Sequence, residues 1–350
     1  MRISDDTIDV GARRIGPGEP TFIIAEAGVN HNGDVEVALE LVAAAAEAGA
    51  DAVKFQTFKT DQLVTRNLEK APYQARTTGD GSQYEMIRRL ELDEQAHQRI
   101  HDACERLGIT FMSTPFYEGG VDLLLRLGVP ALKVDSGNLT NLPLLRHMAA
   151  TGSPVILSTG MSTLGEVEEA VMLFREYGTP HCLLHCTSNY PARLEDVHLR
   201  AMETMRRAFN CPVGYSDHTV GIGVSVAAVA LGADVIEKHF TLDRNAEGPD
   251  HKASLSVDEL GQMVREIRSV ERALGGTEKR VNDDERSTVH ALRRSIVAGC
   301  PIARGTVITR EMLAIKRPGD GIQPKYVELI VGRAARRDLK EDQLLSWDDV

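Results

Sequence analysis

Short apolar runs alternate with helix-forming stretches eight times between about residue 20 and residue 275 of this 350-residue chain. Runs of this kind are typical of parallel strands that are buried on both faces. The stretches between them have the period of amphipathic helices, and several end in Gly, which favours a helix C-terminus. Eight strand–helix units in about 250 residues predict a (β/α)8 barrel of the α/β class, the TIM barrel. The eight runs are FIIAEAG from Phe22, AVKFQTF from Ala52, TFMSTPF from Thr110, ALKVDSG from Ala131, PVILSTG from Pro154, CLLHCTS from Cys182, PVGYSDH from Pro212 and VIEKHFT from Val235.

An open, doubly wound sheet is the alternative fold for alternating strands and helices. A sheet of that kind that binds a dinucleotide carries the glycine pattern G-x-G-x-x-G directly after its first strand. Here the chain instead continues as GVNHNG from Gly28, which lacks that pattern. The closed barrel is therefore favoured.

The same pattern predicts how the chain divides. Residues 1–275 form the barrel domain, in which residues 1–20 are a hairpin cap that closes the bottom of the barrel. Residues 276–293 are charged and are predicted to be a linker, and residues 294–350 hold short β-like pieces of a small domain with a marginal core. Residues 59–91 form a long connection, and such connections are usually functional or disordered, so we expect a lid there.

Composition excludes several classes of protein. The 40 basic and 51 acidic residues give a net charge of −11, which argues against nucleic acid as a partner. No stretch approaches the ~20 apolar residues of a membrane span, and the first residues lack the apolar core of a signal peptide. Five widely spread cysteines form neither a disulfide framework nor a metal-binding CxxC pair. We therefore expect a cytoplasmic globular protein.

Polar side chains stand near the C-terminal end of every predicted strand. The active sites of such barrels lie at that end, in the loops that follow the strands. Each of these residues alone could be an ordinary loop residue, but together they predict a site at this rim. They are Glu26, Lys54, Ser113, Thr114, Lys133, Ser136, Ser158, His185, Ser188, Ser216, His218, Glu237 and His239.

Lys54 and Lys133 interrupt apolar strands, where an unpaired ammonium group is costly to bury. One interpretation is an internal ion pair with Glu26 or Glu237. The other is that both lysines face a strongly anionic ligand, such as one with a phosphate and a carboxylate. Hydroxyl groups suit the same ligand, because phosphate oxygens accept many short hydrogen bonds. The hydroxyls in question belong to Thr114, Ser136, Ser158 and Ser216.

His218 and His239 follow neighbouring predicted strands and could bind one divalent ion, with Mn²⁺, Co²⁺, Zn²⁺ and Mg²⁺ all compatible. Either could instead be a hydrogen-bonded core histidine. Asp217 and Glu237 are placed to orient the two rings. Cys186 lies on an apolar strand and is interpreted as a packing residue, with a nucleophile as the less favoured alternative.

Ten motifs occur in a fixed order along the chain: FIIAEAGVNHNGD, VKFQTF, FMSTPF, KVDSGN, ILSTGM, HCTSNYP, GYSDHT, EKHFT, GPDHKAS and KRPGDGIQP. With them the chain resembles the sialic acid synthase family over essentially its whole length, including a C-terminal antifreeze-like (SAF) domain from about Arg294. That family condenses phosphoenolpyruvate with an N-acetylated six-carbon sugar. The resemblance implies a transferase that forms a nine-carbon 2-keto sugar acid and phosphate.

The resemblance also implies roles for matching positions. Glu26, His218 and His239 correspond to catalytic residues, and the two histidines to the ligands of a divalent metal, typically Mn²⁺, with Mg²⁺ or Co²⁺ as alternatives. The phosphoenolpyruvate pocket corresponds to Lys54, Thr114, Lys133, Ser136, Ser158, Ser188 and Ser216. Glu26 also belongs to the acceptor-sugar contacts, together with Gln56, Tyr190, Asp250 and Arg317. Arg317 is expected to reach in from the SAF domain of a partner subunit, in a domain-swapped homodimer.

The identity of the acceptor sugar stays open at this point. Some sialic acid synthases have Asn where this chain has Ser188, and the Ser-x-Tyr-Pro form resembles synthases of legionaminic acid. Both N-acetylmannosamine and 2,4-diacetamido-2,4,6-trideoxymannose are therefore candidates. Two other functions also stay open: a phosphoenolpyruvate-dependent synthase of a seven- or eight-carbon keto acid, and a non-catalytic sugar-binding or spore-coat relative.

Overall fold

A computed structural model describes residues 7–70 and 72–350 of the chain. Residues 1–6 of the predicted hairpin cap and Ala71 of the predicted lid lie outside the described residues. The chain divides into two compact units, one ending at Gly275 and one comprising Gly276–Val350. None of the described helices is both long enough and apolar enough to cross a membrane.

The first unit is built around eight parallel strands, preceded by a short antiparallel hairpin of β1 and β2. The strands are β1 (Ile8–Val10), β2 (Arg13–Ile15), β3 (Phe22–Gly28), β4 (Ala52–Thr57), β5 (Thr110–Pro115), β6 (Leu132–Val134), β7 (Val155–Ser158), β8 (His181–Cys186), β9 (Val213–Asp217) and β10 (Val235–His239). Their order is β5-β4-β3-β10-β9-β8-β7-β6, so the last strand pairs with the first of the eight. β5 packs beside β6, which brings the two ends of the sheet together. The predicted TIM barrel is confirmed.

Helices follow the strands and cover the outside of the barrel. In the first unit they are α1 (Val35–Glu47), α2 (Thr60–Leu63), α3 (Pro72–Thr78), α4 (Gln83–Arg88), α5 (Glu94–Leu107), α6 (Glu118–Arg126), α7 (Leu142–Ala150), α8 (Leu164–Tyr177), α9 (Ala201–Phe209), α10 (Gly223–Ala230) and α11 (Val257–Leu274). α8 and α11 begin with capping boxes, formed by Thr163 with Glu166 and by Ser256 with Glu259. Three short helices, α2 to α4, occupy the connection predicted to be a lid; its role as a lid stays a prediction.

The inside of the barrel has an apolar layer near the N-terminal ends of the strands. Alternate residues of a strand point to opposite faces, so one residue in two faces inward. The inward apolar residues pack with Ile8, Val10 and Ile15 of the β1–β2 hairpin, which therefore fills this end of the barrel. Those from the barrel include Ile24, Ala52, Met112, Ala131, Ile156, Leu184 and Val235.

The second unit has a small core of its own. Strands β11 (Ser295–Ala298) and β12 (Leu313–Lys316) pair antiparallel, and α13 (Val327–Ile330) follows them. Within the segment predicted to be a linker, the structure instead has a helix, α12 (Asp283–Leu292). Asn282 and Glu285 form a capping box at its start, a local signal that charge composition alone does not reveal.

Candidate active site

One inward residue from each of the eight strands forms a polar ring directly above the apolar layer. Alternate residues of a strand face the same side. Each member of the ring therefore lies two residues after the inward-facing residue that its strand places at the level of the apolar layer. The members are Glu26, Lys54, Thr114, Lys133, Ser158, Cys186, Ser216 and Glu237. All eight line one cavity of about 320 Å³ at the C-terminal end of the barrel. Gln56, Ser136, Ser188, Tyr190, His218 and His239 line the same cavity.

Two lysines and two carboxylates form a buried ionic cluster within the ring. Lys54 Nζ lies 2.6 Å from Glu26 Oε2 and 3.6 Å from Glu237 Oε2. Lys133 Nζ lies 3.9 Å from the same Glu237 oxygen. The internal ion pair that the sequence left open is therefore present. Since all four side chains also line the cavity, the pairing does not remove the lysines from a ligand's reach.

Burial and mutual charge shift the protonation of this cluster. Burial raises the pKa of Glu26 to about 7, against the opposing charge of Lys54. For Glu237, burial is outweighed by Lys133 and Lys54, which lower its pKa. Burial lowers the pKa of Lys133, with Glu237 opposing the shift. Glu26 is thus a member of the cluster that can gain or lose a proton near neutral pH.

Hydroxyl groups accompany each lysine. Lys54 Nζ donates to Thr114 Oγ1 at 3.1 Å, and Lys133 Nζ donates to Ser158 Oγ at 2.7 Å. Each hydroxyl retains a proton that it can donate to a ligand. The two ammonium groups and two hydroxyls therefore form a surface suited to a multiply charged anion.

A glycine lets two further hydroxyls approach this surface. The Gly160 backbone N–H donates to Ser136 Oγ at 2.9 Å. A Cβ on Gly160 would lie 2.2 Å from Ser188 Oγ and 2.8 Å from Ser136 Oγ. Both serines can point into the cavity here because position 160 has no side chain. The sequence contained this signal in the motif ILSTGM, but sequence reasoning did not assign it.

His218 and His239 lie side by side at the mouth of the cavity, with ring centroids 5.5 Å apart. The His218 Nδ1–H donates to the Thr187 carbonyl at 2.8 Å, so Nε2 carries the lone pair when the ring is neutral. His239 Nδ1 is buried and has no hydrogen-bond partner among the described residues. Burial, aided by the charge of His218, lowers the pKa of His239 well below its usual value. Tyr190 stacks on His218 with a centroid distance of 4.1 Å.

These features fit a divalent metal. Metal-binding histidines must be neutral, a state that burial favours for His239. Against the effect of burial, Cys186 and the Thr187 carbonyl raise the pKa of His218, so a metal would have to displace a proton from that ring. A buried imidazole nitrogen without a partner, such as His239 Nδ1, is the kind of group that a metal satisfies. Asp250 Oδ2 lies 3.9 Å from His239 Nδ1, and burial raises the pKa of Asp250 to about 6. Elsewhere in the described chain, one cluster of three potential ligands lies on α5. That cluster is His101, Asp102 and Glu105.

Two predicted roles near the histidines are wrong. Asp217 and Glu237 were expected to orient the rings of His218 and His239. Asp217 instead points outward from the barrel and pairs with Lys238 at 2.9 Å. Glu237 points inward, but toward the two lysines. For Asp217 the physical reason is strand alternation, which sends it and its neighbour His218 to opposite faces. For Glu237 the reason is the attraction of the two lysines, whose Nζ atoms lie 3.6 and 3.9 Å from its Oε2.

Ser113 and His185 of the predicted rim also point outward. Ser113 Oγ shares a hydrogen bond of 2.7 Å with Thr57 Oγ1, and His185 Nε2 donates to the Val197 carbonyl at 2.6 Å. Their polar groups therefore form hydrogen bonds in the layer between the strands and the helices, outside the cavity.

The predicted acceptor contacts are distributed over several elements. Gln56 lies on β4, Tyr190 follows β8, and Asp250 lies in the connection after β10. Arg317 belongs to the second unit, so its contribution to a site stays a prediction. Sequence reasoning missed Asp135, which lines the cavity and accepts a hydrogen bond from the Gly137 N–H at 2.9 Å. Its position directly after β6, in KVDSGN, was the available signal.

Comparison with known proteins adds independent information. The NeuB family matches residues 41–279, and the SAF domain matches residues 293–350. The N,N'-diacetyllegionaminic acid synthase of Legionella pneumophila is 47% identical over 97% of each chain. The human N-acetylneuraminate-9-phosphate synthase is 37% identical over 95% of this chain and 93% of its own. The solved N-acetylneuraminic acid synthetase of Leptospira borgpetersenii, 34% identical, superposes with a TM-score of 0.71 over 81% of this chain and 95% of that chain.

Proposed function

Because the chain belongs to the NeuB family, we propose that it condenses phosphoenolpyruvate with an N-acetylated six-carbon sugar and water. The products are a nine-carbon 2-keto sugar acid and phosphate. The family predicted from the ten motifs is confirmed, and the chain is an enzyme of the sialic acid synthase type. The non-catalytic alternative is therefore set aside.

One observation carries the proposal for this chain: the ionic cluster and the histidine pair line the same cavity. Phosphoenolpyruvate bears a phosphate and a carboxylate on three carbons, and the two ammonium groups with their hydroxyls offer matched partners. Lys54 and Lys133 bind this anion, and the hydroxyls complete its contacts. The acceptor aldehyde lies toward His218 and His239 at the mouth.

In the proposed reaction, the π electrons of the enol phosphate form a bond from its C3 to the acceptor's aldehyde carbon. His218 and His239 would hold a divalent metal, Mn²⁺ by preference, which as a Lewis acid polarises the aldehyde oxygen. That oxygen takes the proton that Glu26 holds and becomes a hydroxyl, and Glu26 is then free to accept a proton from water. Lys54 and Lys133 hold the donor in line and stabilise charge throughout.

Water then adds at C2 and loses a proton, for which Glu26 is the proposed acceptor. Its pKa of about 7 suits proton transfer at neutral pH. The tetrahedral intermediate collapses: the C2 hydroxyl gives its proton to the departing phosphate and becomes the ketone, and phosphate leaves with the electron pair of the broken C2–O bond. Every atom of the donor, acceptor and water appears in the two products.

For the acceptor, we propose 2,4-diacetamido-2,4,6-trideoxymannose ahead of N-acetylmannosamine. Ser188 in the Ser-x-Tyr-Pro motif supports this choice. So does the identity of 47% to a diacetyllegionaminic acid synthase, against 37% to an N-acetylneuraminate-9-phosphate synthase.

A phosphate-release assay with phosphoenolpyruvate, Mn²⁺ and each sugar in turn tests the proposal. We expect phosphate release with the diacetamido sugar, and mass spectrometry should find the nine-carbon acid. His218→Ala should be inactive at any Mn²⁺ concentration, whereas wild-type enzyme stripped with EDTA should recover on adding Mn²⁺. Release with neither sugar would refute the synthase proposal, and full activity of His218→Ala would refute the metal assignment.

We further propose the domain-swapped homodimer, in which the partner subunit's Arg317 completes each acceptor site. The test mixes two inactive variants, Lys133→Met and Arg317→Ala, and allows the subunits to exchange. Heterodimers then contain one site with both residues intact, so about a quarter of all sites should regain activity. Complete lack of recovery, with heterodimers shown to form, would contradict the swap. Cytoplasmic location stays a prediction.

A further inference from the structure

A buried ion pair lies directly behind the two histidines. Lys238 Nζ is 2.9 Å from Asp217 Oδ2, and both side chains are 0% exposed. The two residues are register partners on β10 and β9. Since each pairs across the outer face of the barrel, their neighbours His239 and His218 point into the cavity on the inner face.

The ion pair belongs to a network in which both charges are hydrogen-bonded. Asp217 Oδ1 accepts from the Thr219 N–H and hydroxyl, both at 2.8 Å, and Asp217 Oδ2 accepts from Ser225 Oγ at 2.6 Å. Lys238 Nζ donates to the Thr219 carbonyl. The network therefore ties β9, β10, the loop after β9 and helix α10 together at one point.

Stability alone does not explain this arrangement. Replacing a buried ion pair by apolar residues of similar size is often neutral or stabilising, because desolvation offsets the Coulomb attraction. An ion pair with directional hydrogen bonds does fix one geometry, which an apolar contact does not. The geometry fixed here is that of two strand ends, each carrying a histidine of the candidate metal site.

A second ion pair lies at the other ends of the same strands, between Arg206 of helix α9 and Asp234 before β10. Asp234, just before β10, accepts from Arg206 Nη2 at 3.3 Å and from the Val213 N–H at the start of β9 at 2.9 Å. This lower pair lies at the N-terminal ends of the strands, away from the cavity. It offers a matched control, since it links the same strands without adjoining a histidine.

We infer that Asp217 and Lys238 are positioning residues that set the spacing of His218 and His239 for metal binding. The inference rests on the proposed metal role of the two histidines. The pair touches neither substrate nor metal and acts through the backbone that it shares with the histidines. Partners that hydrogen-bond a metal ligand directly change metal affinity about 10- to 100-fold when they are lost, and for a pair that acts through the backbone we expect the lower end of that range.

The test measures Mn²⁺ binding to the EDTA-treated full-length protein by calorimetry, with Mn²⁺ alone as the probe. Asp217→Asn/Lys238→Met removes the upper ion pair but keeps an acceptor for the Thr219 N–H. Arg206→Met/Asp234→Asn removes the lower pair and likewise keeps an acceptor for the Val213 N–H. We expect about tenfold weaker Mn²⁺ binding in the upper variant and wild-type affinity in the lower one.

Phosphoenolpyruvate binding without metal provides a second readout, and it should be the same in both variants and the wild type. Equal Mn²⁺ affinity in the upper variant and the wild type, or equal losses in both variants, would overturn the inference. If the upper variant does not fold, Ser225→Ala removes one hydrogen bond of the network and should still weaken Mn²⁺ binding measurably; an unchanged affinity would overturn it. If the wild type itself binds no Mn²⁺, the proposed metal role fails, and this inference fails with it.

Discussion

The two sides of the cavity are built differently. The inner side, defined by Lys54, Lys133 and Glu237, stands on barrel strands, is buried, and has its charges paired within 4 Å. The outer side includes Tyr190, in the connection after β8, and next to it lies Asp250, in the connection after β10 and 3.9 Å from His239 Nδ1. Strand positions are fixed by the sheet, whereas connections tolerate change.

This contrast suggests that each side of the cavity binds a different substrate. A rigid inner side suits the part of a reaction that never varies, here the proposed phosphoenolpyruvate. A loop-built outer side suits the part by which related enzymes differ, the acceptor sugar. Variants on the two sides should therefore separate the kinetics of the two substrates.

The largest effect is expected on the inner side. Lys133→Met removes one of two ammonium groups from the proposed anion site and should lower kcat/KM for phosphoenolpyruvate about 100- to 1,000-fold. The KM for the acceptor should change little. Initial-rate kinetics with each substrate varied in turn measures both, and Lys279→Met, an exposed lysine, is the control. A loss confined to the acceptor's KM would reverse the proposed assignment of the two sides.

The sequence predicted the inner side well because strands and charges are both visible in it. All eight apolar runs form strands. Lys54 and Lys133 lie beside carboxylates, as the cost of burying an unpaired ammonium group indicated. The sequence did not reveal which face each polar residue takes. Alternation sends Asp217 and His218 to opposite faces, but parallel strands are apolar on both faces, so their pattern does not show which of the two residues faces the inside of the barrel.

The outer side was predicted less completely for a different reason. Connections lack a repeating pattern, so a residue such as Asp250 can be placed only by the contacts of the folded chain. Arg317 lies in a separate unit, and no local rule relates it to the barrel. Only the resemblance to a family suggested its role.

Glu26 stands between the two sides and should give the next largest effect. Glu26→Gln removes the proposed proton acceptor, so kcat should fall about 100-fold while the KM for phosphoenolpyruvate changes less than about twofold. Lys54 keeps Glu237 as a neighbour at 3.6 Å, which is why donor binding should persist. Steady-state kinetics at saturating acceptor provides the measurement. An unchanged kcat would remove Glu26 from the mechanism.

A smaller effect is expected from Asp250 on the outer side. Asp250→Asn removes a charge beside His239 and should raise the acceptor's KM about tenfold, as loss of one hydrogen bond to a charged group does. The KM for phosphoenolpyruvate should stay at the wild-type value. Comparing the two KM values in Asp250→Asn and Lys133→Met tests the division directly. Parallel changes in both values would show that the sides are not separable.

The smallest signal lies in the pH dependence of stability. The pKa of Glu26 is about 7 in the folded chain, above its ordinary value of 4.5, so between these pH values the folded protein holds a proton that the unfolded chain has lost. Raising the pH through this window therefore favours unfolding, by at most about 1.4 kcal/mol per pH unit for this one group. Asp250 has the same sign between its ordinary 3.8 and about 6. The free energy of unfolding, measured with urea from pH 4 to 8, should depend less on pH in both variants than in the wild type. The change should fall between pH 4.5 and about 7 in Glu26→Gln and between pH 3.8 and about 6 in Asp250→Asn. Identical curves for both variants and the wild type would show that neither carboxyl is held protonated by the fold.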